Sequence, residues 1–304
     1  MQKLLITGQM RSGTTFMANF LNSQNNMTVY ADFLISLFVS GQRLQVDDIN
    51  TALADRNKNI LIAGLKAEAN AMNVEGFDNI TKNDFNTWND LFDLGLRKVV
   101  EFDENTETKV VGIKKTIEQY FIGQLLENDH KIIYMYRDPR DVLLSAKNRF
   151  SDFSLYTSIT RWAKSMDHIE EYVKNKNMVL VKYEDLILNK EDVSSKISDL
   201  LGVEINTNLS TFKLRKGSIY KDNSSFHDVS ELFDEKALYR WKNDKDSDEV
   251  ILASCLLKDQ IAKYDYEAYS PEKGRSKPIL KAYHKKMRND AIKRGVKKVL
   301  RIKS

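Results

Sequence analysis

Residues 3–15 read KLLITGQMRSGTT, and this stretch decides the fold. The apolar run at 3–7 ends at Gly8 and predicts a buried parallel strand. From Ser12 to Leu21 the apolar residues recur at helical spacing, which predicts a helix. A helix start that follows a strand through a short turn presents backbone N–H groups and a partial positive charge, so the turn predicts an anion site.

The side chains of this turn favour a phosphate-like ligand. Gly13 allows the backbone to approach a ligand closely. The hydroxyls of Thr14 and Thr15 add hydrogen-bond donors, and Arg11 adds a fixed positive fork. The spacing is similar to the P-loop pattern G-x-x-x-x-G-K-[ST], but Thr14 replaces the lysine that bridges the β- and γ-phosphates beside Mg²⁺. The pattern favours a ligand-binding turn over a plain polar turn. The expected ligand has a shorter anionic tail than a nucleoside triphosphate and is bound without a metal.

Three further apolar runs predict strands at 109–113, 131–136 and 178–181, with helical patterns between them. Strands that alternate with helices indicate a three-layer α/β fold, in which a parallel sheet is flanked by helices. Residues 33–108 carry mostly helical patterns and are predicted to cap the sheet. Residues 247–264 are predicted to form one more helix.

The composition is that of an ordinary globular protein, with 42% hydrophobic and 30% charged residues among 304. The single cysteine, Cys255, excludes an internal disulfide and a thiolate-built metal site, and it fits a reducing compartment. The N-terminal apolar run is shorter than a signal peptide requires, and no stretch approaches the roughly 20 apolar residues that span a bilayer. We therefore expect a cytoplasmic protein.

Charge is distributed unevenly between the main body and the C-terminal tail. Residues 275–304 contain 12 Lys/Arg and one acid, Asp290, which gives +11. Residues 1–274 hold the other 35 Lys/Arg and 42 Asp/Glu, which gives −7. We expect a main domain at 1–270 and a basic, helical tail at 271–304.

Apolar residues of the tail, Leu280, Tyr283 and Met287 among them, recur near helical spacing between lysines and arginines. This pattern suits a helix at the periphery of an anionic membrane surface. It equally suits a solvated helix packed on the main domain. Nucleic acid is not an expected partner, because few aromatic residues are interleaved with the charge.

A second motif follows the predicted strand at 131–136 and reads YRDPRDVLLS from Tyr136 to Ser145. Arg137 ends the strand and Ser145 lies two turns into the next helix, so both side chains are expected to reach one phosphate. Pro139 stands near the predicted helix start, which is a favourable position for proline. A helix start with surface charges is the competing interpretation.

With both motifs in view, the sequence resembles the sulfotransferase family. Its members carry [KR]-S-G-T-[ST] after the first strand, here residues 11–15, and [YV]-R-[DN]-P-R-D-V-x-x-S after a later one, here residues 136–145. The resemblance implies a P-loop NTPase-like fold and an enzyme that uses PAPS (3′-phosphoadenosine-5′-phosphosulfate). The residues that would bind the 5′-phosphosulfate are Arg11, Ser12, Gly13, Thr14 and Thr15. By the same resemblance, Arg11 stabilises the leaving group, and Arg137 and Ser145 hold the 3′-phosphate.

Two shorter matches extend the resemblance to about residue 265. The run VKYEDL at 181–186 is similar to the family's V-x-Y-E-D-L, which implies that Tyr183 lies beside the adenine. The triplet Arg215-Lys216-Gly217 is similar to an R-K-G that closes over the 3′-phosphate in the family's cytosolic branch. A basic turn is the competing interpretation of that triplet.

Sulfuryl transfer is an in-line displacement, so it needs a base for the acceptor proton and cations for the charge on the sulfuryl oxygens. The cytosolic branch uses the histidine of a K-T-H motif, but the comparable residues here are Lys115-Thr116-Ile117. Other branches use a glutamate, and counting from the loop arginine places that position at Asp32. We predict that Asp32 is the base, and the alternative is a helix N-cap at Asp32.

Lys114 is the predicted cation for the sulfuryl oxygens, because it follows a predicted strand where the family often has G-D-K-T-P. Lys115 competes with it through a one-residue change of register. A solvent-facing lysine is the competing interpretation. The four histidines lie in no recognised motif, and no metal is expected.

The resemblance implies transfer of sulfate to a hydroxyl acceptor, which we expect to be a small molecule, a glycan or a glycolipid. A membrane-facing tail would favour a lipid-linked acceptor. One alternative is a P-loop kinase or nucleotide hydrolase, which Thr14 in the lysine position opposes. The other is a catalytically silent nucleotide-binding module. In that case Arg11, Arg137 and Ser145 bind the nucleotide, and Asp32 does not act as a base.

Overall fold

The computed structural model describes residues 1–116, 118–151, 154–212 and 233–302, with side chains described to residue 289. These residues form two compact units. Within the described part of the chain, the first unit comprises 1–137, 168–212 and 233–235, and the second comprises 138–167 and 236–302. The division that we predict at residue 270 stays a prediction.

The first unit is built on five parallel strands. In chain order they are β1 (Gln2–Gly8), β2 (Met27–Ala31), β3 (Val110–Lys114), β4 (Lys131–Tyr136) and β5 (Met178–Lys182). Their order across the sheet is β2-β3-β1-β4-β5. Every neighbouring pair is parallel, so the carboxyl ends of all five strands lie at the same end of the sheet. Apolar residues fill both faces of the central strand β1, as expected for a sheet covered on both sides.

Twelve α-helices are described along the chain. They are α1 (Thr14–Asn22), α2 (Ile35–Arg43), α3 (Asp55–Ala71), α4 (Trp88–Asp103), α5 (Ile122–Glu127), α6 (Pro139–Arg149), α7 (Leu155–Ile169), α8 (Tyr183–Leu188), α9 (Lys190–Leu201), α10 (Asp248–Leu256), α11 (Lys258–Lys263) and α12 (Lys273–Ile302). Short 3₁₀ turns span Glu235–Ala237 and Arg240–Asn243.

The chain leaves the neighbouring strands β1 and β4 in opposite directions along the sheet. After β1 it continues to β2 at one edge of the sheet, and after β4 it continues to β5 at the other edge. In doubly wound sheets, ligands bind outside the carboxyl ends of the strands where the winding reverses in this way. The two motifs at 11–15 and 136–145 begin at the carboxyl ends of these two strands.

Between β2 and β3 the chain forms α2, α3 and α4. Thr87 begins α4 with a capping box, in which its side chain accepts from the N–H of Asp90 and the Asp90 carboxylate accepts from the N–H of Thr87. Helix α4 packs against β2 and β3. The ring of Trp88 stacks on Phe121 at 4.6 Å, and its indole N–H donates to the carbonyl of Leu37.

The predicted α/β class, a parallel sheet flanked by helices, is confirmed. Two details differ. The sequence patterns do not predict β2, whose five residues become a strand by pairing with β3 and not through a strong apolar repeat. The prediction of one helix over 247–264 is wrong, because Leu257 leaves helical geometry (φ −111°, ψ 23°) and separates α10 from α11. Leu257 is itself buried, so tertiary packing stabilises the break.

The second unit has its own small core, in which Leu144 of α6 packs with Trp241 and Val250. Helix α12 packs against α10, and the Tyr283 ring stacks on Tyr156 with 4.6 Å between ring centres. Among the described residues, no helix combines the length and the apolar character needed to cross a membrane.

Candidate functional site

The turn between β1 and α1 has two residues in the left-handed region, Arg11 at φ 64° and Gly13 at φ 86°. Space also requires glycine at position 13, since a Cβ there would lie 2.3 Å from Cδ2 of Tyr183. Gly13 has no side chain with which to cap α1, and the first turn of α1 contains no acid. The N-terminus of α1 therefore keeps a positive potential that suits an anion.

Ser12 is buried, and its hydroxyl faces the interior of the first unit. Its Oγ donates to the carbonyl oxygens of Gln9 at 2.6 Å and Met135 at 3.1 Å. These bonds tie the turn to β4. The backbone N–H of Ser12 also donates to the carbonyl of Gln9, at 3.3 Å. Donor binding by Ser12 stays a prediction.

Arg137 joins the turn to the opposite side of the site. It follows β4, and its Nη1 donates to the carbonyl oxygen of Arg11 at 3.4 Å. Its guanidinium lies 4.6 Å from the ring centre of Tyr183, which starts α8 directly after β5. Four residues predicted to bind the donor, Arg11, Gly13, Arg137 and Tyr183, thus form one chain of contacts across the carboxyl ends of β1, β4 and β5.

Aromatic rings extend this chain of contacts. Phe16 of α1 meets Tyr183 edge-on at 6.4 Å, and it also meets Phe212 at 5.1 Å and Phe233 at 5.3 Å. Sequence reasoning missed these rings. Phe212 and Phe233 lie in no motif, and Phe16 has the spacing of an ordinary apolar residue of α1, so only the folded chain reveals their proximity.

The predicted base, Asp32, and the predicted cation for the sulfuryl oxygens, Lys114, are in contact with each other. Lys114 ends β3, and its Nζ donates to Oδ1 of Asp32 at 2.6 Å. The side chain of Lys114 is 4% exposed and that of Asp32 is 56% exposed. The N–H of Asp32 donates to the carbonyl of Lys114, so backbone pairing between β2 and β3 fixes both.

The alternative role for Asp32 as a helix cap is wrong. Helix α2 begins at Ile35, and its N-cap is Leu34, which has φ 59° and makes no side-chain capping bond. Asp32 itself has φ 59°, an uncommon conformation for a non-glycine residue. Its carboxylate contacts Lys114 and is open to solvent.

Lys115 forms a second, buried ion pair. Its Nζ lies 2.5 Å from Oε2 of Glu118, a residue with a fully buried side chain. The other oxygen, Oε1, accepts from the N–H of Phe121, and the N–H of Glu118 donates to Oγ1 of Thr7. Lys114, and not Lys115, therefore contacts Asp32, because successive side chains along an extended strand alternate in direction.

The turn after β1 is also in contact with the loop after β3. The hydroxyl oxygens of Thr14 and Thr116 are 3.4 Å apart. Thr116 follows the two lysines, so this contact connects the turn after β1 to the segment that carries Lys114. Sequence reasoning missed Thr116 as a site residue, although its place in the Lys-Thr pair was a usable signal.

The remaining predicted residues are not brought into this cluster by the described contacts. Ser145 is buried in α6, which belongs to the second unit, whereas Arg137 belongs to the first. A phosphate shared by these two residues stays a prediction. Arg215, Lys216 and Gly217 lie outside the described residues.

His130 has a structural role. It precedes β4, at the amino-terminal end of the strands and away from the site. Its ring stacks on Phe92 with 5.5 Å between ring centres. Burial, with a smaller effect of the Lys3 charge, lowers the pKa of His130 to about 4. Within the described part of the chain, no group of three or more His, Cys, Asp or Glu side chains is arranged to hold a metal ion.

Fold and site together define the class: an α/β protein with a P-loop-like anion turn whose usual lysine is replaced by Thr14. The family model of the sulfotransferase domain matches residues 1–248. The chain therefore belongs to the sulfotransferase family, a family of transferases. The predicted family is confirmed, and the kinase or hydrolase alternative is set aside.

Two solved sulfotransferase domains are similar to this chain. The sulfotransferase domain from the curacin biosynthetic pathway is 16% identical, with 88% of this chain and 99% of that one covered and a TM-score of 0.55, which indicates a shared fold. The sulfotransferase domain from the Synechococcus PCC 7002 olefin synthase is 17% identical over 68% of this chain and 74% of that one, with a TM-score of 0.44. No curated protein matches the chain by sequence.

Proposed function

We propose that this sulfotransferase uses PAPS as its donor and transfers the sulfuryl group to a hydroxyl acceptor. The observation that carries the proposal is the chain of contacts from Arg11 and Gly13 through Arg137 to Tyr183. It combines an anion turn, the guanidinium of Arg137 and an aromatic ring at the carboxyl ends of three strands. A phosphorylated adenosine requires these three kinds of partner.

The charges of the residues present fit such a donor. Gly13 lets the Tyr183 ring lie against the backbone of the turn, where a Cβ would clash with it. With Thr14 at the lysine position, the turn lacks the cation that a P-loop offers to a γ-phosphate. Arg11 would carry the charge of the 5′-phosphate, and Arg137, with Ser145, that of the 3′-phosphate.

When bound, the donor supplies the sulfuryl group, and adenosine 3′,5′-bisphosphate leaves. A bond from the acceptor oxygen to sulfur forms while the bond from sulfur to the 5′-phosphate oxygen breaks. Asp32 would accept the proton of the acceptor hydroxyl, and Lys114 would hold the Asp32 carboxylate and face the charge on the sulfuryl oxygens. The 2.6 Å contact between Lys114 and Asp32 supports this division of roles.

The acceptor that we propose is a glycan or a glycolipid, or a small hydroxyl compound of similar polarity. The half-exposed Asp32 side chain supports an acceptor that approaches from solvent. For the tail, we propose peripheral contact with an anionic membrane, which would favour a lipid-linked acceptor. Helix α12 contains 12 Lys/Arg and one acid in its sequence, and its basic side chains Lys277, Lys281 and Lys285 are exposed.

Calorimetry tests the donor. The chain should bind adenosine 3′,5′-bisphosphate tightly, and ATP with Mg²⁺ at least about 100-fold more weakly, because Thr14 replaces the P-loop lysine that binds the γ-phosphate. Arg137→Ala should remove most of the affinity, whereas Arg56→Ala, an exposed arginine of α3, should not change it. Equal affinity for both nucleotides, or an unchanged affinity in Arg137→Ala, would reject the donor assignment.

Vesicle sedimentation tests the tail. The full chain should sediment with vesicles that contain phosphatidylserine and remain in solution with phosphatidylcholine alone. Replacement of Lys293, Arg294, Lys297 and Lys298 by glutamine should reduce sedimentation by about tenfold or more, since each basic residue near such a surface contributes about 1 kcal/mol. Sedimentation that is indifferent to these charges would exclude the membrane contact and leave the donor assignment intact.

A further inference from the structure

The motif at 136–145 contains three charged residues in addition to Arg137. Asp138, Arg140 and Asp141 stand between Arg137 and Ser145, and all three are buried. All belong to the second unit, as does Ser145. Their contacts lead to Trp241, about 100 residues further along the chain.

Arg140 and Asp138 form a two-pronged ion pair at the start of α6. The Nε of Arg140 donates to Oδ1 of Asp138 at 2.9 Å, and its Nη2 donates to Oδ2 at 2.6 Å. The same Oδ1 accepts from the backbone N–H of Arg140, so Asp138 also caps the helix. The guanidinium plane is thereby fixed relative to the first turn of α6.

Trp241 covers this ion pair from outside the motif. Cζ of Arg140 lies 3.5 Å from the centre of the Trp241 ring, and the backbone N–H of Trp241 donates to Oδ1 of Asp141 at 2.9 Å. One turn later, Leu144 packs on Trp241 and Val250. Contacts from residues 241–250 therefore hold α6 immediately before Ser145.

A further contact holds α6 after Ser145. Lys147 donates to Oε2 of Glu249 at 3.0 Å, and Glu249 lies in the first turn of α10. Ser145 is thus placed between two fixed points on one helix. Because a helix is rigid over two turns, these contacts set the position of its hydroxyl.

Within the described part of the chain, two donors of the cluster are buried without a hydrogen-bond partner, which carries a cost in stability. Among the described residues, Nη1 of Arg140 and Nε1 of Trp241 have no hydrogen-bond partner, although both atoms are buried. Unsatisfied buried donors cost stability, and a buried ion pair is often no more stabilising than apolar residues of equal volume. A role in placing α6 would account for the charged composition of this cluster. Arg140 also neutralises Asp138, which is next to Arg137, the proposed ligand of the 3′-phosphate.

We propose that Arg140 and Trp241 are positioning residues for the recognition of the 3′-phosphate by Ser145. The proposal rests on the proposed function, in which Ser145 is a ligand of that phosphate. Neither residue touches the donor in this view. Both act through α6, and their effect is confined to ligands that carry the 3′-phosphate.

The test compares adenosine 3′,5′-bisphosphate with adenosine 5′-phosphate, which differ only in the 3′-phosphate. Arg140→Lys keeps the charge but loses the fork and the flat face that stacks on Trp241. Its affinity for the bisphosphate should fall about tenfold, while its affinity for the monophosphate stays within about twofold. Arg275→Lys is the matched control, because Arg275 pairs with Asp246 on the exposed surface of the same unit, and it should change neither affinity.

A double-mutant cycle with Ser145→Ala separates positioning from general stability. In the Ser145→Ala background, Arg140→Lys should change the bisphosphate affinity by less than about twofold. Trp241→Phe, which keeps an apolar ring, should reproduce the selective loss at a smaller size if Arg140→Lys does not fold. Equal losses for both ligands, or losses that add to that of Ser145→Ala, would overturn the proposal. If the unmodified chain does not distinguish the ligands, the proposed 3′-phosphate recognition itself fails.

Discussion

Two ion pairs at the end of β3 differ by one residue in the chain and by their whole environment in the fold. Lys114 holds Asp32, whose side chain is 56% exposed, and Lys115 holds Glu118, whose side chain is not exposed at all. The open pair has a carboxylate within reach of a substrate. The sealed pair satisfies the backbone N–H of Phe121 and so serves the fold. Chemistry should therefore depend on the open pair, whereas the sealed pair should contribute to stability alone.

The largest effect is expected from the open pair. Asp32→Asn should lower kcat by about 10²–10⁴-fold, because an amide cannot accept the acceptor proton. It should also lower the melting temperature, because the buried Lys114 ammonium loses its counter-charge. Steady-state transfer assays and thermal melts measure both. Asp55→Asn, in the exposed pair with Lys82, is the matched control and should affect neither quantity. An active Asp32→Asn enzyme would mean that the base lies elsewhere.

Disrupting the sealed pair should lower stability without a direct effect on the chemistry. Glu118→Gln leaves the Lys115 ammonium buried without its counter-charge, so the free energy of unfolding should fall by about 3–5 kcal/mol. Urea denaturation measures this loss. Glu101→Gln, in an exposed pair with Lys98, should cost less than about 1 kcal/mol. Restoring stability with the double variant Lys115→Met/Glu118→Gln would support the charge explanation, and a harmless single variant would contradict it.

Stability should also depend on pH, through the buried histidine His130. His130 has a pKa of about 4 in the folded chain, below its ordinary value, so the unfolded chain binds the proton more readily. Stability that is complete above about pH 6.5 should therefore be lost as pH falls towards 4, by about 2 kcal/mol between about pH 7 and pH 5. Urea midpoints at both pH values, compared with His130→Phe, isolate this share. Substitution of the exposed His284 should leave the pH dependence unchanged.

The smallest effect is expected at the donor side. Gly13→Ala places a Cβ 2.3 Å from the Tyr183 ring, whereas Gly202→Ala, also at positive φ, meets no atom within 4 Å. Both variants carry the backbone cost of about 1 kcal/mol, but only Gly13→Ala must displace Tyr183. Its affinity for adenosine 3′,5′-bisphosphate should fall about tenfold relative to Gly202→Ala. Equal affinities would show that contact between Gly13 and Tyr183 is not needed for binding.

The sequence predicted the parallel sheet and the donor side of the site because both are encoded in contiguous runs. Arg11 and Gly13 lie in one turn, and Arg137 and Tyr183 each follow a strand whose apolar residues are visible in the sequence. Parallel strands bring their carboxyl ends to one edge, so residues that follow different strands can be expected to meet. The contacts of Arg137 with Arg11 and Tyr183 agree with that expectation.

By itself, the sequence determined the family, and it predicted the phosphate-binding turn and the candidate residues on both sides of the reaction. Only the tertiary structure decided that Lys114 faces Asp32 while Lys115 is sealed against Glu118, that Ser12 points inward, and that Trp241 covers Arg140. The physical reason is that these choices depend on strand order and on the pleat of β3. Both are fixed by packing between residues far apart in the chain, which local spacing does not record.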